Sequence, residues 1–281
     1  MDPDPEGSFT STSTFKTTVL TVAFTSFYFY KTGHQEAIFR LPVAEKNNQS
    51  VTTTAGKPPS GKKKKIYLTF DDGPNKGTRN VLSIIEQEKV TATLFVVGEH
   101  VYGSKAQASI YDSASRKTIF EIANHSFTHA FQNRYKRFYE LPDSVVKDFA
   151  RCADSLHLRS MIIRTPGRNI WRTGSIRSID LKTATNATDS LYQHGYQVVG
   201  WDLEWHFTSD QRLVQTSDEM VNQVDSAFLH NRTKTPDHLV LLAHDQVFAN
   251  ATDSASLHQF IIKLKTKEEF EFEQVSKYPG L

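Results

Sequence analysis

Ile66-Tyr67-Leu68-Thr69-Phe70-Asp71-Asp72-Gly73-Pro74 carries an apolar run into two adjacent carboxylates and a turn. The run reads as a buried strand and Gly73-Pro74 stops it, so both aspartates stand at a strand's carboxyl end. In α/β sheets that end is where ligands bind. Two carboxylates this close raise each other's pKa unless a cation or an arginine divides their roles. Taken alone, Asp, Gly and Pro also suit a plain turn.

Further along, Asn124-His125-Ser126-Phe127-Thr128-His129 sets two histidines four residues apart, the spacing of one face of a helical turn. Two imidazoles and one carboxylate would hold a metal with positions left open, the arrangement of catalytic rather than structural sites. The mixed nitrogen and oxygen ligands favour zinc, with cobalt or iron able to substitute. By itself the histidine pair is weak evidence, because ordinary surface and core histidines share its spacing.

Three more segments follow in order: Arg164-Thr165-Pro166-Gly167, Trp201-Asp202-Leu203-Glu204-Trp205 and Leu241-Leu242-Ala243-His244-Asp245. Together with the aspartate and histidine segments they resemble the motif series of the polysaccharide deacetylases with NodB homology, carbohydrate esterase family four. The stretch from Val90 to Gly98 resembles that family's second strand. The resemblance implies an α/β fold, a distorted and incomplete (β/α) barrel with parallel strands. It also implies a hydrolase that removes N-acetyl groups from amino sugars of a cell-wall or cell-surface polysaccharide. Position by position, it implies Asp71 as general base and Asp72, His125 and His129 as ligands of one divalent transition metal. Arg164 would tether the base and His244 would be the general acid, oriented by Glu204 or Asp202. Gly167, Trp205 and Leu242 fall where the family meets its substrate.

One departure stands out. The family's third motif commonly carries an aromatic residue where this chain has Gly167, and a glycine offers its N–H to an oxyanion but no side-chain wall. Two alternatives therefore stay open, an amidase acting on a small amide or cyclic imide and a glycan-binding module without turnover. A binding module needs neither an acid nor a base, which weighs against the second.

With 281 residues, 38% hydrophobic and 23% charged, the chain suits one large globular domain. Its net charge of +2, with Lys62 to Lys65 as the one dense basic run, argues against a nucleic-acid partner. Cys152 is the only cysteine, so no intrachain disulfide can form, and its spacing from Phe149 and Leu156 makes it a buried thiol. Residues 1–63 read as leader and linker ahead of a catalytic domain at 64–281. Within them, residues 17–30 have the length of a signal segment or anchor, although their Thr, Val, Phe and Tyr content would equally suit a strand. Export, with membrane contact only through that segment, is the expected location, and nothing bears on oligomeric state.

Apolar runs predict strands at Ile66–Phe70, Thr93–Val97, Met161–Arg164, Tyr196–Trp201 and Leu239–Ala243. Helical spacing predicts a helix after the first motif, one opened by Asp143 as N-cap and running to Leu156, and one over Ser175–His194. Two more are marked by Val221 to Phe228 and Leu257 to Leu264. Alternation of this kind makes a parallel sheet with crossover helices.

Overall fold

The structure, a computed structural model, describes residues 62–281; the leader, anchor and most of the linker expected from the sequence lie outside them. Ten strands form one sheet: β1 (Lys64–Gly73), β2 (Ala92–Val96), β3 (Phe120–Asn124), β4 (Ile162–Ile163), β5 (Trp171–Arg172), β6 (Arg177–Ser178), β7 (Gln197–Val198), β8 (Leu203–Glu204), β9 (His238–His244) and β10 (Phe270–Phe272). Their order is β6-β5-β7-β4-β3-β2-β1-β9-β8, with β10 also paired to β1. Pairing is parallel except where β5 meets β6 and β7, so the fold is an open, incomplete barrel of mostly parallel strands.

Side-chain alternation divides β1 and β9 into two faces. Ile66, Leu68 and Phe70 join Leu239, Leu241 and Ala243 in the large cluster under the helices Thr78–Glu88, Ser217–Leu229 and Ala251–Lys265. Tyr67 and Val240 turn the other way and pack with Phe95, Trp171, Val199 and Tyr278, closing the inner floor of the half-barrel. Thr69 and Asp71 continue that inner face of β1, and Leu242 and His244 that of β9. The sequence of layers thus runs from an apolar floor to polar residues at the strands' carboxyl ends.

Several local expectations are corrected. Only Thr185–Gln193 of the stretch Ser175–His194 is α-helical, because Arg177–Ser178 pairs antiparallel with Trp171–Arg172. The helix over Pro142–Leu156 has Leu141 as its N-cap and Pro142 in its first turn, with Asp143 inside that turn, not before it. The strand expected over Tyr196–Trp201 shrinks to Gln197–Val198, and Phe120–Asn124 is a central strand that its mixed polarity hid. Cys152 is fully buried, and burial pushes its thiol up to about 12, far from nucleophilic range. Lys64 and Lys65 belong to β1, and their ammonium groups pair with Glu269 and Glu271 around β10. No helix among the described residues is long and apolar enough to cross a membrane.

Candidate metal and catalytic site

In a regular strand, neighbours such as Asp71 and Asp72 would point to opposite faces. The pairing of β1 with β2 shifts between Asp71 and Gly73, a β-bulge, and Asp72 takes the left-handed region with φ of 73°. His100 supports the bulge, its Nδ1 lying 2.7 Å from the Asp72 carbonyl. Both carboxylates consequently reach the same rim. A Cβ at Gly73 would sit 2.6 Å from Oδ2 of Asp245, so any side chain there would displace that carboxylate.

Asp72, His125 and His129 converge, with one ligand atom from each lying within 4.8 Å of the others. Asp72 Oδ1 is 3.4 Å from His125 Nε2 and 3.0 Å from His129 Nε2. Each imidazole is anchored through its other nitrogen: His125 Nδ1 donates to the Arg164 carbonyl at 2.9 Å, and His129 Nδ1 to Asn133 Oδ1 at 2.5 Å. In the neutral tautomers this leaves two Nε2 lone pairs aimed at a carboxylate oxygen that is buried and has no hydrogen-bond partner. Three lone pairs meeting at one place repel unless a proton or a cation lies among them. Burial would raise the Asp72 pKa, yet His125 and His129 outweigh it and hold the carboxyl well below its usual range. Burial likewise works against a charged His129, and Asp72 reverses the balance, raising it. The donor set therefore suits a divalent metal ion.

The two histidines are not on a helical face, as their spacing suggested. β3 ends at Asn124, Ser126 is left-handed with φ of 68°, and residues His129 to Asn133 form a left-handed turn with φ between 48° and 66°. Their ring centroids lie 5.2 Å apart.

Asp71 stands beside the ligands, and Asp71 and His244 are register partners across the parallel β1–β9 pair. Arg164 Nη1 donates to Asp71 Oδ1 and to Thr69 Oγ1, both at 2.8 Å. Its Nε and Nη2 donate to the Val199 and Gly200 carbonyls at 3.1 Å and 2.9 Å, and its guanidinium lies 4.1 Å over the Phe95 ring. A fully buried cation held by so many partners keeps Asp71 in one rotamer; removing such a partner typically costs about 3–5 kcal/mol because it strands a buried charge. His244 packs against Phe207 with ring centroids 5.0 Å apart.

A profile of the polysaccharide deacetylases matches residues 59–167, which include this aspartate pair, both histidines and Arg164. Over those residues the chain matches the polysaccharide deacetylase family. It is 26% identical over 217 residues to a peptidoglycan-N-acetylglucosamine deacetylase of Bacillus cereus, covering 75% of this chain and 70% of that one. Among solved structures it resembles a carbohydrate esterase of family four from Streptococcus mutans, with a TM-score of 0.55 and 22% identity over 75% of this chain and 86% of that one. A mutant of a family four pseudoenzyme also matches, with a TM-score of 0.52 and 17% identity over 76% of this chain and 66% of that one. These two likenesses concern the fold.

The remaining expected residues divide. Neither Glu204 nor Asp202 orients His244, whose Nδ1 is buried without a partner. Asp202 lies lower in the barrel, and its two oxygens accept from the Lys234 and Val240 backbone N–H groups at 2.7 Å and 2.8 Å. Glu204 stands level with Leu242, and its Oε1 faces His206 Nδ1 at 3.5 Å. Trp205 is a core residue, fully buried against Phe248 and Phe260 with its indole N–H donating to the Gln215 carbonyl, so it is not at the rim. Even spacing from Trp201 could not reveal which face it took. Leu242 lies one inner position below His244, and Gly167 is exposed at the turn after β4.

Burial raises the Asp202 carboxyl to about 6, against the backbone N–H groups that lower it. The folded chain thus holds a proton there that the unfolded chain releases near pH 4. Stability from this group is greatest below pH 4, falls as pH rises through 6 and then levels, by roughly 3 kcal/mol at most. Urea unfolding at pH 4.5 and 7 should show wild type losing stability relative to Asp202→Asn as pH rises; a constant difference would refute the assignment.

Sequence reasoning missed the residues that shape the histidine turn. Asp148, buried on the helix Pro142–Leu156, accepts from the Phe127 and Thr128 N–H groups at 3.1 Å each, and Asn124 Oδ1 accepts from Ser126 N–H at 2.9 Å. Asp148 had no signal of its own, being one acidic residue in an amphipathic helix. Asp148→Ala strands two buried N–H donors and is expected to weaken metal binding by about 10- to 100-fold with loss of melting temperature. Competition with a metal indicator checks this, and unchanged affinity would refute it. Asp245 was also passed over. It is buried and accepts from Thr78 Oγ1 and Asn75 Nδ2, clasping the end of β9 to the turn after β1. Burial, with Asp72 and Asp71 nearby, pushes its carboxyl up to about 8.

Proposed function

We propose that this chain is a metal-dependent N-deacetylase that hydrolyses the acetamide of N-acetylated amino sugars in a cell-wall or cell-surface glycan, releasing acetate. The observation that carries this reading is the register pairing of Asp71 with His244 beside the converging atoms of Asp72, His125 and His129. A divalent metal bound there supplies Lewis acidity, polarising the acetamide carbonyl and making water acidic enough to attack near neutral pH.

The chain's own residues supply the proton traffic. Asp71, fixed by Arg164, takes the proton of the attacking water. His244, on the neighbouring strand, gives a proton to the departing amine nitrogen, so that the C–N bond breaks to free amine and acetate. The exposed Gly167 N–H is a donor for the oxygen that gains charge as water adds. An imidazole suits the acid role because its ordinary pKa lies near neutrality. The relative from Bacillus cereus acts on peptidoglycan, and the same surface polymers are reached only outside the cytoplasm, which supports export of this chain.

The test is metal analysis of the purified protein together with acetate release from chitooligosaccharides, peptidoglycan and a cyclic ureide. One metal per chain and release from a glycan is the expected result. Turnover of the ureide alone would assign a small-amide hydrolase, and glycan binding without turnover a binding module.

A further inference from the structure

Gly167 leaves the turn after β4 without a side chain, yet the space above it is filled. Its φ is 65°, and a Cβ there would lie 2.7 Å from Cε1 and 3.0 Å from Cζ of Tyr135. No side chain can stand at 167 while that ring is in place. Tyr135 comes from a different part of the chain, the short helix Tyr135–Tyr139 that follows the histidine turn. Its ring meets the His129 imidazole edge-on, with centroids 6.0 Å apart and planes at 82°.

The ring is held at two points. The Tyr135 hydroxyl donates at 2.9 Å to Asn133 Oδ1, the same oxygen that accepts from His129 Nδ1. Tyr139, one turn along the same helix and buried, donates at 2.6 Å to the Pro166 carbonyl. Two tyrosines four residues apart therefore grip one turn, Tyr139 through Pro166 and Tyr135 across Gly167. Tyr135 is half-buried, beside the His129 imidazole and over the exposed Gly167. A rigid aromatic surface at the mouth of a polar site is the chemistry that recognises the apolar C–H face of a pyranose ring.

Resting on the deacetylase reading, we propose that Tyr135 is a specificity-determining residue: it forms the aromatic wall on which the sugar bearing the reacting acetamide stacks, and residue 167 is glycine to make room for it. The wall rises from the segment after His129, so sugar placement and the anchoring of a metal ligand share Asn133. The substrate class is then a pyranoside acetamide, in preference to a small planar amide that has no such face to offer.

The experiment uses the full chain with zinc and chitotetraose as probe. Binding is measured by calorimetry in the Asp71→Asn background, where turnover is suppressed, with residue 135 as Tyr, Phe or Ala. Tyr135→Phe should bind within about twofold of the parent and Tyr135→Ala about tenfold more weakly, the size of one aromatic contact. Zinc content should be unchanged in both. With Asp71 intact, Tyr135→Ala should raise KM for chitotetraose more than kcat falls, and the ratio of kcat/KM for chitotetraose to that for a small aryl acetamide should drop about tenfold. Equal binding by all three proteins, no binding of chitotetraose by any of them, or loss of zinc from both variants would overturn the wall. Chitotetraose binding that depends on Tyr135, without acetate release from any glycan, would leave the wall standing and defeat the deacetylase reading.

Discussion

Replacing His125 by alanine should leave a folded chain that no longer retains a stoichiometric divalent metal. His125 is buried, and its Nε2 is one of three donor atoms that meet within 4.8 Å. Two remaining donors, one carboxylate oxygen and one imidazole, are too few to hold a zinc-like ion against chelation by solvent and buffer. The fold should survive, because the strands that carry the site are packed by apolar residues on both faces, far from any dependence on the ion. The lost bond from Nδ1 to the Arg164 carbonyl costs about 1–3 kcal/mol, small enough for a domain of this size. Metal content by atomic emission after dialysis, alongside circular dichroism, decides the matter, and retention of one metal per chain in the variant would refute the ligand set. The same geometry makes binding pH-dependent. Asp72 raises the His129 pKa in the metal-free site, so protons compete with the ion, and affinity should fall as pH drops through the imidazole range and recover above it.

Asp71→Asn and His244→Ala should each keep the metal and cut kcat by roughly 10² to 10⁴. Asparagine preserves the shape of Asp71 and still offers an oxygen to Arg164 Nη1, but it cannot take a proton from water. Alanine at 244 removes the only imidazole in register with that carboxylate and leaves Asp72, His125 and His129 untouched. A reaction that needs one group deprotonated and another protonated has a bell-shaped dependence of kcat/KM on pH, with limbs that belong to the coupled pair. Each variant should flatten one limb, the acidic side in Asp71→Asn and the basic side in His244→Ala. Near wild-type acetate release by both, with metal present, would sink the proposed mechanism.

The architecture was legible in the sequence where a strand's signal is strongest. Ile66 to Phe70 and Leu239 to Ala243 are continuous apolar runs because both faces of these central strands are buried, and such runs need no neighbour to be read. Phe120–Asn124, equally central, was not legible, since Glu121 and Asn124 interrupt its apolarity for tertiary reasons: Glu121 accepts from Thr93 and Asn124 braces the histidine turn. The antiparallel hairpin of β5 and β6 was invisible for another reason, as two-residue strands carry no periodicity at all.

The candidate site divides along the same line. Residue identity and order, two aspartates, two histidines, an arginine and a last histidine, are properties of the chain, and the resemblance to the family rests on them. Which way each side chain points is not. A bulge at Asp72 and a left-handed turn after His129 bring the ligand atoms to one place, and both depend on distant partners, His100 and Asp148, that no local pattern announces. The sequence by itself therefore determined the chemistry available and the rim of the sheet that holds it. Only the tertiary structure decided that Trp205 belongs to the core, that Asp202 binds backbone N–H groups instead of His244, and that Tyr135 covers Gly167. Spacing along a strand fixes an alternation of faces, whereas burial and pairing are set by whatever packs against each face, and that information is spread over the whole chain.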